Sequence, residues 1–162
     1  MHKYLFFLCP TDGLEPVINE FFEQENYFYT SLGNSFALNY KDILTIIEKN
    51  SIEKIFFILA NDNQVFKDAL GQQYLSDISG LDKCYKAIVL EKENTRLFWN
   101  NSYKEFTILS YYLNKKISEL QHSLNQMASQ PVKFIGKIYD RKLDAFQEIH
   151  SHLICLQKDS LN

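Results

Sequence analysis

Four short apolar runs, none of them alternating with polar residues, constrain this chain most: Lys3–Cys9 (KYLFFLC), Asn26–Leu32 (NYFYTSL), Lys54–Ala60 (KIFFILA) and Val132–Tyr139 (VKFIGKIY). Pro10 stops the first, Gly33-Asn34 the second and Asn61-Asp62-Asn63 the third, while Pro131 leads into the fourth. Runs of this length between turn residues are the pattern of strands buried on both faces, as in parallel sheets. The stretches between them carry apolar residues at three- and four-residue steps, which predicts helices over Glu15–Gln24, Asp42–Lys49, Asn63–Leu70 and about Ser102 to Met127. Pro16 suits the first position of the first helix. A last helix is predicted over Asp144–Leu156, and the segment from Gly71 to Asn101 has no decisive period. Alternating strands and helices predict an α/β domain with right-handed crossovers. With no repeat or linker in 162 residues, one domain is expected.

Composition removes several classes of function. A formal charge of -3 gives no electrostatic footprint for nucleic acid, and the arginines are only Arg96 and Arg141. Aromatics reach 15%, but without interleaved Arg and Lys they suit a core and a partner-facing surface better than a base-stacking platform. Tyr4–Leu8 is too short for a signal segment or a membrane span, so no membrane association is expected. Three widely spaced cysteines, Cys9, Cys84 and Cys155, argue against a disulfide framework and suit a reducing cytoplasm.

Ligands of open α/β sheets bind outside the carboxyl ends of the strands. The residues expected there are Cys9-Pro10-Thr11-Asp12-Gly13, then Thr30 and Gly33-Asn34, then Asn61-Asp62-Asn63-Gln64. Cys9 reads either as a small buried hydrophobe or as a reactive thiol. Asp62 or Asn63 suits the cap of the following helix, and the same cluster could seat a small anion such as bicarbonate on helix N–H groups. Elsewhere metal-ligating types are scattered. His150 and His152 are two apart on a predicted helix and face different ways, and His2 and His122 stand singly. The chain has no glycine-rich phosphate loop, nucleophile elbow or Cys-x-x-Cys pair.

In order and spacing these segments resemble the β-class carbonic anhydrases. That family carries C-x-D-x-R after its first strand, R-N-A-G-N after the second, H-x-x-C after the third and G-x-x-Y-D on a late strand. Cys9 falls on the first zinc ligand, Pro16 on the proline opening the next helix, and Gly33-Asn34 on the end of the second motif. Gly136-Lys137-Ile138-Tyr139-Asp140 matches the late strand, so the likeness runs from Lys3 to about Glu148. It implies a three-layer fold with a mostly parallel central sheet flanked by helices, and by family analogy a homodimer. Because the first strand is predicted to start almost at Met1, the resemblance carries the expectation that the family's N-terminal helical arm is missing.

The departures fall on the chemistry that the resemblance implies. Asn61 and Gln64 stand at the His and second Cys positions, Thr11 and Gly13 replace the Asp and Arg of the first motif unless Asp12 compensates, and Thr30 replaces the Arg of the second. Amide oxygens are poor ligands for a borderline-soft ion, so zinc is not expected. The expected function is a non-catalytic carbonic-anhydrase-like protein that has lost its zinc site and binds a small anion or a protein partner. The alternative is an enzyme with a rebuilt site using Cys9.

Overall fold

The computed structural model describes residues 1–35, 40–71, 80–98, 103–126 and 131–149. All four apolar runs are strands: β1 (Lys3–Leu8), β2 (Glu25–Thr30), β3 (Lys54–Ala60) and β4 (Lys133–Asp140). They lie in one sheet with β5 (Ala145–Glu148), in the order β2-β1-β3-β4-β5. β1 pairs in parallel with β2 and β3, β3 in parallel with β4, and β5 returns antiparallel on β4. The central strands β1 and β3 are buried along nearly their whole length, which is why their sequences do not alternate.

Each face of the sheet carries its own core. Leu5, Phe7, Cys9, Ile55, Phe57, Leu59 and Ile138 point to one side. There they meet α2 (Tyr40–Asn50), α3 (Gln64–Gly71), α4 (Leu81–Asn94) and α5 (Lys104–Asn125). Tyr4, Phe6, Leu8, Phe56, Ile58 and Tyr139 point to the other side, onto Leu14 and onto Ile18 of α1 (Glu15–Phe21). Rings stack across the strands on both faces, Phe6 on Phe56 at 4.8 Å and Phe7 on Phe57 at 4.7 Å between centroids. The architecture is an α/β three-layer fold with a mostly parallel sheet.

Two expectations need correcting. The predicted helix over Asp144–Leu156 is a strand over Ala145–Glu148 as far as Ile149, and the rest of that span lies outside the described residues. The cause is a tight turn: Asp140 Oδ1 accepts the N–H groups of Lys142 and Leu143, and Asp144 takes φ 48°, so the chain folds straight back on β4. Phe146 then packs on Tyr139 at 5.0 Å between centroids, opposite it in the ladder. The segment without a decisive period contains the 14-residue helix α4, which buries Leu81, Cys84, Tyr85 and Ile88 at helical spacing. Ser102 and Met127, the bounds expected for the long helix, lie outside the described residues.

Candidate functional site

The parallel register of β1 sets the site. Leu8 pairs with Thr30 on one side and Ile58 on the other, so the turns that follow β1, β2 and β3 meet at one end of the sheet. After β1, extended Cys9 leads into a 3-10 turn, Pro10–Asp12, closed by Gly13 in the left-handed region at φ 59°. After β2, a second such turn, Leu32–Asn34, puts Gly33 at φ 59°. The Gly33 N–H donates to Cys9 Sγ at 3.1 Å, and Thr11 Oγ1 lies 3.0 Å from the same sulfur. Cys9 itself is 1% exposed.

Two residues from the helical layer close over Gly33. Tyr112 of α5 donates its hydroxyl to the Gly33 carbonyl at 2.6 Å, and Cys84 Sγ of α4 lies 3.4 Å from that hydroxyl. Burial raises the Cys84 thiol above its ordinary pKa and holds the Tyr112 hydroxyl far above its own. Both groups are neutral at physiological pH.

A second network joins the turns after β1 and β3. Asp12, 4% exposed, accepts the Ala60 N–H at 2.9 Å and Asn63 Nδ2 at 2.8 Å. Asn63 Oδ1 in turn accepts the Phe66 N–H at 2.8 Å and caps α3. Burial dominates the titration of Asp12 and raises its pKa to about 6, against the lowering effect of Ala60, Asn63 and Arg141, with Asp62 adding a small upward push. Arg141, from the turn after β4, donates Nε to both oxygens of Asp62 at 2.9 Å and Nη2 to the Asp12 carbonyl.

The residues expected at the sheet edge are therefore divided. Cys9, Thr11, Asp12, Gly33 and Asn63 form one connected cluster. Asn34 is buried beside it, donating Nδ2 to the Ile58 carbonyl at 3.0 Å, while its Oδ1 meets no donor. Gln64 is exposed and donates to Asp68 at 2.8 Å, and Asp62 is held by Arg141. Gly13 faces open space and Thr30 is exposed at the end of an edge strand, so neither lines the cluster. Half-buried Asn61 opens onto a separate cleft. An anion at the start of α3 would have to displace Asn63 from the Phe66 N–H. Cys84, Tyr112 and Arg141 were not singled out from the sequence as site residues. Counting Cys84 as apolar alongside Leu81, Tyr85 and Ile88 would have revealed its helix.

The donor chemistry does not fit a hydrolytic zinc, which takes three thiolate, imidazole or carboxylate ligands and one open position. Cys9 sulfur is met by a hydroxyl and an N–H, and the two positions after β3 supply neutral amides. Among the described residues no three of His, Cys, Asp and Glu converge. No helix among them is long and apolar enough to cross a membrane.

No protein-family profile matches the chain, and no curated protein does. Solved structures do. The β-carbonic anhydrase CafD of Aspergillus fumigatus superposes with a TM-score of 0.71 at 15% identity, over 93% of this chain and 90% of that one. A tetrameric β-carbonic anhydrase of Sordaria macrospora gives 0.67 at 12% identity, over 91% and 80% of the two chains. The Coccomyxa β-carbonic anhydrase, solved with acetazolamide, gives 0.67 at 13% identity, over 91% and 71%. The fold is that of the β-carbonic anhydrases.

Proposed function

We propose that this protein is a non-catalytic relative of the β-carbonic anhydrases, working by binding a small ligand or a protein partner. One observation carries the reading. Two of the three positions that the resemblance assigns to zinc ligands are bonded within the protein, Cys9 to Gly33 and Thr11, and Gln64 to Asp68. Zinc-bound water reaches a pKa of about 7 only in a site that holds the ion tightly and leaves one position open. A lone thiol with amide neighbours does neither. Self-association, as in the tetrameric Sordaria macrospora enzymes, belongs to the same reading, as does a reducing compartment that keeps Cys9 and Cys84 as free thiols.

Protein produced in zinc-supplemented medium should carry far less than one zinc per chain by elemental analysis. Its carbon dioxide hydration, followed by stopped-flow pH change, should equal the uncatalysed rate. Stoichiometric zinc together with hydration above background would overturn the reading.

A second reading, an enzyme built on Cys9, is favoured by the Gly33 N–H aimed at the sulfur, which would stabilise a thiolate. Burial opposes it, since Cys9 is 1% exposed. Iodoacetamide labelling of the native protein, read by mass spectrometry, should leave Cys9 unmodified until denaturant is added. Rapid labelling of Cys9 in the native state would favour this second reading over the first.

A further inference from the structure

Beyond the turn cluster, the same end of the sheet holds a cleft of about 590 Å³, within the range of small-molecule sites. It lies between the start of α5 and the ends of β3 and β4. Strand periodicity explains what faces it. Asn61 is two residues beyond Leu59, Asp140 two beyond Ile138, and Gln147 stands opposite Ile138 in the ladder. Leu59 and Ile138 both point to the face covered by α5, so these three polar side chains continue the core's own rows past its edge.

The lining is mixed, with four apolar or aromatic residues among five polar ones. Leu109 is buried and Phe106 is half-buried, whereas Tyr103 is 61% and Leu143 65% exposed. Large apolar groups at such exposure, gathered around one concavity, mark a binding surface more than a solvated one. Three of its polar side chains are uncommitted. No hydrogen bond or ion pair engages the side chains of Asn61, Glu105 or Gln147 among the described residues. Asp140 spends Oδ1 on the N–H groups of its turn, and among the described residues no bond reaches Oδ2.

Charge selects the ligand. Glu105 and Asp140 face one cation of the described lining, Lys104, and the amides of Asn61 and Gln147 add both acceptors and donors without changing the charge. One net negative charge beside Tyr103, Phe106, Leu109 and Leu143 favours a charged donor with a hydrophobic body. We propose that this cleft binds a small organic cation, an amine or amidine carried on a short apolar group. Glu105 is the principal charge partner, Asn61 and Gln147 orient the ligand, and Tyr103 and Phe106 cover its body. The proposal deepens the binding reading above by naming a ligand class, but at a separate site.

Titration of the full-length ¹⁵N-labelled protein with benzamidine and with n-butylamine tests it, with acetate and bicarbonate as anionic counterparts. Both cations should shift the side-chain NH₂ signals of Asn61 and Gln147 saturably, and acetate should not. Glu105→Gln should weaken the response about tenfold, the loss of one charge-assisted bond. Glu105 also sits in the first turn of α5, where negative charge favours the helix, but that role affects stability and not the choice between cation and anion. Absence of saturable shifts with either cation, an undiminished response in Glu105→Gln, or a stronger response to either anion would overturn the proposal. Neither zinc content nor hydration enters these measurements, so failure here leaves the non-catalytic reading standing, and the converse holds as well.

Discussion

Gly33→Ala should destabilise the protein by about 3 kcal/mol, read as a lower urea midpoint with an unchanged slope. Two costs add. At φ 59° an alanine pays roughly 1 kcal/mol of backbone strain that glycine does not. The new methyl would also lie 2.5 Å from Cys84 Sγ and 3.2 Å from Val65 Cγ1. Neither neighbour can simply move aside, because Cys84 is buried on α4 beside the Tyr112 hydroxyl that also holds the Gly33 carbonyl. Overpacking of this kind costs about 1–3 kcal/mol. A double-mutant cycle separates the two terms: Cys84→Ala opens room for the methyl and should recover the steric part of the loss but not the strain. A Gly33→Ala protein within about 0.5 kcal/mol of the parent would show that the turns after β1 and β2 are not held together as described.

That crowding also explains how far the sequence could be read. Strands β1 and β3 are legible because both-face burial leaves long apolar runs, β3 at Lys54–Ala60 on both counts, whereas β2 and β4 are only partly buried and show through as apolar runs bounded by turn residues. β5 escapes a reading by periodicity because Phe146 and Ile149, three apart, satisfy a helical period. What decides it is a side chain bonding its own turn, Asp140 to Lys142 and Leu143, and periodicity does not register that. At the site, residue order along the chain located Cys9, Asp12, Gly33 and Asn63 at one edge. It could not foresee that Asp12 would meet Ala60 and Asn63, roughly fifty positions away, or that Cys84 and Tyr112 would close over Gly33. Those contacts are set by how α4 and α5 pack on the sheet. The Asn61 amide, read from the chain beside Asn63, belongs to a different concavity because one capping bond turns Asn63 inward while Asn61 follows the strand outward.

Asp12 gives the protein a pH-dependent stability term whose sign runs against the usual behaviour of native carboxylates. Its pKa in the folded state is about 6, against an ordinary 3.8, because burial outweighs the donors that reach it. The folded protein thus binds this proton more tightly than the unfolded chain does. The contribution is fully present below about pH 3.8 and is lost as pH rises through about 6. A shift of roughly two units corresponds to about 3 kcal/mol across that window. Asp12→Asn removes the titration while keeping the size and a carbonyl acceptor, although one former acceptor oxygen becomes an NH₂ facing a donor, which lowers stability by a roughly constant amount. Urea unfolding from pH 4 to pH 7.5 should therefore show the parent losing about 2 kcal/mol relative to Asp12→Asn. Every other carboxylate and histidine is common to the two proteins and drops out of the difference. Parallel pH profiles would mean that the bonds from Ala60 and Asn63 hold Asp12 ionised in spite of its burial. The network joining the turns after β1 and β3 would then be an ordinary charged one with no reserve of stability at low pH.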